Sequence, residues 1–334
     1  MISLKKVSIS VSLIAFWLLI SSWGFLVHKT VQQLAIYELP KTIQPFFYQH
    51  KEKLVYDAPR PDMRRNQDST EATKHFIDLE MFGKNAVNEM PLNWNDAVKK
   101  YTKDSLLKYG YVPYHVIYIK GKLTEAFRSQ NKDSILFYAS DLGHYISDAH
   151  VPLHTTVNYD GQLSNQKGIH SLWESMIPEI EITHYNLYSN HHASYLKHPD
   201  QAIWGAVRTA AALVPEMLAK EKEISLSFTD AQKYRVQIRK GKEYKSYTSD
   251  FAKAYAISLK SSINDQLLAS ANLIADFYYT AWVDAGKPNL DELHKAFSDE
   301  ELKAMKAEQK QFKKNALLAS DKLIAKKSST KEEF

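Results

Sequence analysis

The chain has 334 residues, of which 44% are hydrophobic and 24% charged, and its formal net charge is +5. This length suits one large domain or two small ones, and the charge is too small to indicate nucleic-acid binding by itself. There is no cysteine, which excludes disulfides and thiolate metal ligands, so a hydrophobic core or bound metal must stabilise the fold.

The first 22 residues have the pattern of a secretory signal peptide. Two lysines precede an apolar run over residues 7–20, and two small serines follow it. The run is shorter than the ~20 residues that cross a bilayer. We therefore expect an exported protein, periplasmic or secreted, cleaved near Ser22–Trp23. An uncleaved N-terminal membrane anchor is the alternative.

Most of the remaining chain has the pattern of amphipathic helices. Glycine is scarce, and apolar residues recur at three- and four-residue spacing. The pattern predicts irregular segments at 50–74 and 155–169. We predict an all-α fold, with one multi-helix domain over residues 23–290 and a charged, partly disordered helical tail over 291–334. The predicted helices cover residues 25–39, 95–109, 114–129, 133–150, 168–176, 201–222, 248–284 and 290–326.

The stretch HYISDAHVPLH places candidate metal ligands at the end of a helix. His144 and Asp148 are four residues apart, so they share one helix face. Pro152 disfavours helix beyond the preceding residue, so His154 lies just past the helix end. His150 falls on the opposite face from His144, and we expect it to be a polar group outside the ligand set.

A second pair repeats this spacing in HSLWE, where His170 and Glu174 are also four residues apart. One such pair usually forms a hydrogen bond on a helix face. Two pairs with His154 between them favour a metal site, and imidazole with carboxylate ligands suits zinc.

Three other stretches add candidates. PDMRR contains Asp62 in a turn-prone segment, where Asp57 and Asp68 are alternatives. KHFIDLE contains His75 and Asp78, each of which alone would more often be structural. In SSWGFLVHKT, cleavage would leave Trp23 at the N-terminus, where its free amine and carbonyl could chelate a metal next to His28.

Taken together, these motifs resemble the zinc-dependent phospholipase C / S1–P1 nuclease superfamily of all-α enzymes with three zinc ions. The elements that match, in the family's order, are W-G-x-x-x-H at 23–28, the Asp62 loop, H-F-I-D at 75–78, H-x-x-x-D-x-x-x-x-x-H at 144–154 and H-x-x-x-E at 170–174.

The resemblance implies a set of ligands for each of three zinc ions, and Asp148 belongs to the sets of both the first and the third ion. The first ion would bind Asp62, His75, His144 and Asp148; the second His154, His170 and Glu174; the third Trp23, His28 and Asp148. Asp148 and Asp62 are the catalytic candidates. The resemblance implies hydrolysis of a phosphodiester by a zinc-activated hydroxide.

The substrate class is less determined. Glu174 as the last ligand is similar to the phospholipases, whereas the residues around LHTT and IHSLWES look like the nucleases. We favour a phospholipase C-like enzyme. The alternatives are an S1/P1-type nuclease acting on single-stranded DNA or RNA, and a non-catalytic, zinc-binding exported protein. The expected partner is a phospholipid head group or single-stranded nucleic acid, and the sequence indicates no protein partner.

Overall fold

The computed structural model describes residues 25–239 and 242–326. The predicted signal peptide, its cleavage point and Trp23 lie outside the described residues. Helices account for 65% of the structure and strands for 4%, which confirms the all-α class. Seven longer helices form the framework: α1 (Phe25–Glu38), α2 (Val112–Arg128), α3 (Lys132–Asp148), α4 (Pro199–Ser225), α5 (Ser249–Leu259), α6 (Ser262–Asp284) and α7 (Asp299–Lys313).

Shorter elements connect this framework. Strands β1 (Tyr234–Arg239) and β2 (Lys242–Tyr247) form an antiparallel hairpin. The short α-helices are Gln44–Gln49, Lys51–Asp57, Arg60–Arg64, Ala86–Glu89, Trp94–Tyr101, Lys103–Tyr109, Ile169–Ser171, Ile177–Glu181 and Asp230–Lys233, with a π-helical turn at Leu172–Met176. The 3-10 turns are Ala72–Lys74, Leu79–Phe82, Pro152–Thr155, Asp291–Leu293 and Ile324–Lys326.

Helix α3 carries the central motif, and its ends follow from local chemistry. Asn131 caps its N-terminus, because the side-chain oxygen accepts a hydrogen bond from the Ser134 amide. The helix stops at Asp148, and Val151 is extended before Pro152, as the residue before a proline prefers. Asp148 therefore lies in the last turn.

Two hydrophobic clusters make up the core. The larger is built mainly by α1, α2, α3 and α6, with Tyr278 and Phe47 fully buried within it. The smaller includes Leu153, Trp173 and Phe251, and so joins the segments after α3 to α5. The predicted ligands come from segments of both clusters, which places them where the two clusters meet.

Two predicted helices are broken in the structure. The helix predicted at 95–109 is interrupted at Thr102, where φ is +69° and the side chain caps the next helix. The helix predicted at 248–284 is interrupted at Lys260, with φ of +54°. Threonine and lysine rarely adopt this left-handed conformation. No glycine or proline stands at either position, so nothing in the sequence indicates a break there.

Three other expectations differ from the structure. The segment 50–74, predicted to be irregular, contains two short helices, and the hairpin was not predicted at all. The segment 299–326 is not an exposed helical tail. Its Phe312, Leu317 and Leu323 belong to the larger core cluster, and α7 packs on α1. Burial of these three apolar side chains holds the segment against the domain.

One helix among the described residues, Pro199–Ser225, is long and apolar enough to cross a membrane by length and composition. A single such helix is weak evidence for a membrane span. Here Ile203, Trp204 and Val207 are buried in the larger core cluster.

Candidate metal centre

The first candidate ligand group is built by α3 together with two segments packed against it. Atom Nδ1 of His75 lies 2.8 Å from Oδ2 of Asp148 and 3.1 Å from Nε2 of His144. Oδ1 of Asp62 lies 3.7 Å from Nδ1 of His75 and 3.8 Å from Nε2 of His144. The structure thus brings together the four side chains that the resemblance assigns to one ion.

Of the three aspartates in the 57–68 segment, only Asp62 faces this group. Asp57 forms ion pairs with Lys53 and Arg60. Asp68 accepts hydrogen bonds from Thr70. Asp62 lies in the short helix Arg60–Arg64, and 28% of its side chain is exposed.

The second group lies on the other side of Asp148. Nε2 of His170 lies 2.7 Å from Oε2 of Glu174 and 3.1 Å from Nε2 of His154. Glu174 lies in the π-helical turn rather than in a regular α-helix. π-Helical turns are rare in proteins, and those that occur are often found at functional sites. The pair still meets on one face.

The third group contains His28 of α1, whose Nε2 lies 3.6 Å from Oδ1 of Asp148 and 3.6 Å from Oε1 of Glu174. His28 stacks on His144, with ring centroids 4.1 Å apart. The two oxygens of Asp148 therefore face different ligands: Oδ2 faces His75 and His144, and Oδ1 faces His28. Trp23, the remaining expected ligand, is outside the described residues.

Within the described residues, three sets of side chains could each hold a metal ion, with ligand atoms within 4.8 Å of one another. They are Asp62, His75 and His144; His154, His170 and Glu174; and His28, His144 and Asp148. His144 occurs in two sets. Its single free nitrogen can serve one ion only, and the 3.1 Å contact between Nε2 of His144 and Nδ1 of His75 favours the first.

The ring nitrogens support metal binding. Nδ1 of His144 donates to the carbonyl oxygen of Ala58 at 2.9 Å, and Nδ1 of His154 donates to that of His75 at 2.6 Å. The Nε2 atoms of both rings consequently face the centre, and in the neutral rings each carries a lone pair for a cation. Both ring nitrogens of the buried His28 have no hydrogen-bond partner. An unpartnered buried imidazole and facing lone pairs fit a cation ligand.

The charges fit a cation as well. Burial opposes ionisation of Asp148, yet the imidazoles of His144 and His154 hold the pKa of its carboxyl well below the ordinary value. Burial likewise opposes ionisation of Glu174, but hydrogen bonds from His154 and His170 lower its pKa. Both carboxylates are ionised and almost enclosed, and buried charges of this kind are usually paired or bind metals.

A buried polar network behind His75 was missed by the sequence analysis. Glu71, 1% exposed, accepts hydrogen bonds from Lys74 at 2.6 Å, from Arg64 at 3.2 Å and from the Tyr145 hydroxyl. Its Oε1 lies 3.7 Å from Nε2 of His75. The i, i+4 spacing of Glu71 and His75 could have shown this partnership in advance.

Two other singled-out residues lie outside the ligand groups. His150 is buried, its Nδ1 donates to the carbonyl of Ile146, and burial lowers its pKa to about 4. It is therefore a neutral structural group. The Asp78 amide donates to the carbonyl of Tyr109, and burial raises the pKa of its carboxyl to about 6.

In comparisons with known proteins, no protein-family model matches the chain, and no curated protein matches it.

Proposed function

We propose that this protein is a zinc-dependent phosphodiester hydrolase of the phospholipase C / S1–P1 nuclease type, acting as a phospholipase C-like enzyme after export. The observation that carries the proposal is the convergence of three ligand groups around one buried carboxylate, Asp148, whose two oxygens face different histidines. The all-α class is compatible with the fold of that superfamily.

In this proposal the chain would hold three zinc ions through the nine ligands that the resemblance implies, eight of them among the described residues. When bound, zinc lowers the pKa of water towards neutrality and offsets the charge of a phosphate group. The described ligands include three carboxylates, those of Asp62, Asp148 and Glu174. Three divalent ions would therefore leave the centre positive and able to bind an anionic phosphodiester.

The side chains of the centre differ in solvent exposure, and this difference suggests a different role for each. Asp148, only 1% exposed, would share its two oxygens and fix the spacing of the groups. Asp62, 28% exposed, is the most open of the three carboxylates and could accept a proton from water at the mouth of the centre. His170, 27% exposed, is the most open candidate ligand of the second group and could contact substrate.

One observation favours the nuclease alternative. Tyr159 lies in the loop between His154 and His170, and 53% of it is exposed. An exposed aromatic ring beside a phosphate site could stack on a base. The choice of a phospholipid substrate depends on Glu174, because a glutamate as the last ligand in the sequence is similar to the pattern of the phospholipases.

A side-by-side assay tests the proposal. The purified mature protein is given phosphatidylcholine, single-stranded DNA, single-stranded RNA and bis(p-nitrophenyl) phosphate, with and without chelator, and its zinc content is measured. Release of phosphocholine that is abolished by chelator and restored by zinc is the expected result. Cleavage of nucleic acid alone would select the nuclease alternative. Bound zinc with no turnover on any substrate would select the non-catalytic zinc protein.

A further inference from the structure

The hairpin and the helices beside it expose apolar side chains to an unusual degree. The three most exposed large hydrophobic residues of the described chain are Leu226, Ile257 and Ile238, at 89%, 80% and 78%. Leu226 follows α4, Ile257 lies on α5 and Ile238 lies on β1. Val236 on β1 is 51% exposed. Single exposed apolar residues are normal, but Val236 and Ile238 lie two residues apart on one strand, and adjacent exposed aliphatic side chains indicate an interaction surface.

Positive charge is concentrated in the same part of the chain. Residues 233–245 contain six basic side chains and one acidic side chain. The whole chain has 43 basic and 38 acidic residues, which leaves 37 of each sign elsewhere. The formal net charge of +5 therefore comes entirely from this segment.

The strand register places aliphatic and charged side chains together. Val236 is paired with Lys245, and Ile238 is paired with Glu243. Because paired residues point to the same side of a sheet, these four share one face. Within the described residues the sheet has two strands only, so this face is not continued by a third strand. The Lys245 side chain is 54% exposed, and its Nζ lies 3.8 Å from Oε1 of Glu243.

The base of the hairpin is anchored beside the metal centre. Tyr247, at the end of β2, is 4% exposed, and its hydroxyl donates to Glu221 at 3.0 Å. The same hydroxyl lies 3.3 Å from the carbonyl oxygen of Gln166. A Cβ atom on Gly168 would lie 3.5 Å from the Tyr247 ring. Since Gly168 precedes the turn that carries His170, the hairpin begins next to the opening of the centre.

We propose that the β1–β2 hairpin, whose segment 233–245 has six basic residues and one acidic residue and which exposes Val236 and Ile238, docks on an anionic phospholipid bilayer. Aliphatic side chains partition into the interfacial region, while basic side chains are attracted to anionic head groups. Two of the three large apolar side chains that the described hairpin exposes, Val236 and Ile238, are aliphatic and favour lipid over single-stranded nucleic acid, which is held chiefly by aromatic stacking; the third is Tyr244. Docking requires no metal, so it does not depend on the proposed function.

Vesicle co-sedimentation of the full mature protein tests the surface. The vesicles contain equal parts of phosphatidylcholine and phosphatidylglycerol, neutral phosphatidylcholine vesicles serve for comparison, and chelator is present throughout. Strong binding to the anionic vesicles alone is expected. The double variants Val236→Asp/Ile238→Asp and Arg235→Glu/Lys245→Glu should each weaken it at least about tenfold.

The matched control is Lys99→Glu/Lys103→Glu, which changes the charge equally on two short helices away from the hairpin and should bind like the unchanged protein. Thermal unfolding checks that each variant folds, and if the aspartate variant does not, the charge-reversed variant decides. Equal binding by all variants would overturn the proposal. So would binding of single-stranded DNA without vesicle binding, or a dimer in size-exclusion chromatography that the hairpin variants dissociate.

Discussion

The backbone carbonyl oxygen of His75 accepts a hydrogen bond from Nδ1 of His154 at 2.6 Å. Two residues on, the amide of Ile77 donates to the carbonyl oxygen of His154 at 2.8 Å. A candidate ligand of the first group thus orients a candidate ligand of the second through its own main chain. The groups form one unit, because displacement of the 75–77 segment would move ligands on both sides of Asp148.

The first prediction concerns this shared carboxylate. Asp148→Asn keeps the shape of the side chain but removes its charge, and an amide is a much poorer zinc ligand than a carboxylate. We expect the variant to lose more than one equivalent of zinc and more activity than any ligand variant that affects a single ion. Zinc analysis after dialysis measures the loss.

His170→Gln is the comparison for Asp148, since His170 contacts only residues of the second group and its loss should cost about one equivalent of zinc. Equal zinc contents in the two variants would rule out sharing of Asp148 between ions.

A second prediction concerns Glu71 as a positioning residue. Glu71→Gln removes the carboxylate that faces Nε2 of His75. That carboxylate favours the ring tautomer with its proton on Nε2, which leaves the lone pair of Nδ1 free to bind a metal ion. We expect zinc affinity at the first group to fall by about 10- to 100-fold. Competition with a coloured chelator measures it. Tyr145→Phe removes one hydrogen bond to Glu71 but leaves the carboxylate, so only a small change is expected. Similar losses in both variants would indicate a general packing effect.

The part of the site that the sequence predicted is local. His144 with Asp148 and His170 with Glu174 are visible because helical periodicity relates residues four apart. The structure brings Asp62 to His75 and His144 through packing of separate segments, and periodicity contains no information about such contacts. The resemblance, rather than spacing, supplied that grouping.

The fold was predictable to a similar extent. The long helices α2, α3 and α4 follow from their apolar periodicity and lie within a few residues of the predicted bounds. The hairpin was not predicted, since its strands are short and rich in charge, unlike a half-buried strand. The packing of 299–326 was also missed, because three apolar residues among many lysines and glutamates resemble a solvated helix.

A third prediction concerns the approach of α1 to α3. A Cβ on Gly143 would lie 2.0 Å from Oε1 of Gln32 and 3.1 Å from the Tyr278 hydroxyl. Gly143→Ala should therefore lower the free energy of unfolding by about 1–3 kcal/mol, as overpacking does. It should also weaken zinc binding, because His144 is the next residue. Urea unfolding and chelator competition measure the two effects.

Gly121 provides the matched control for Gly143. It also lies inside a helix, but a Cβ there would meet nothing within 4 Å. Gly121→Ala should raise the free energy of unfolding by up to about 1 kcal/mol through helix propensity. A loss at Gly121 as large as that at Gly143 would contradict the steric explanation.

A fourth prediction concerns pH and Glu38, which is 3% exposed and accepts a hydrogen bond from the Ser189 hydroxyl. Burial raises the pKa of its carboxyl to about 7. The folded protein therefore binds a proton that the unfolded chain releases near pH 4.5, so its stability falls as pH rises from about 4.5 to 7. Glu38→Gln should remove up to about 3 kcal/mol of this dependence. Urea unfolding at pH 5 and pH 8 with chelator measures this pH dependence of the free energy of unfolding.

The control is Glu300→Gln, at an exposed position, which should leave the pH dependence unchanged. If Glu38→Gln does not reduce the pH dependence, the assignment to Glu38 is wrong.

The last prediction concerns His28 and the chain ahead of it. Both ring nitrogens of His28 lack a hydrogen-bond partner although the residue is 2% exposed, so the ring needs a ligand. If the amine of Trp23 joins it in holding zinc, cleavage must occur directly before Trp23, because a preceding residue turns the amine into an amide without a free lone pair. Exported protein should then bind three zinc ions, whereas protein that keeps a methionine before Trp23 should bind about two and react slowly. N-terminal sequencing and zinc analysis of both forms measure this. Equal zinc content and equal rates would show that Trp23 is not a ligand, while the groups around Asp148 would be unaffected.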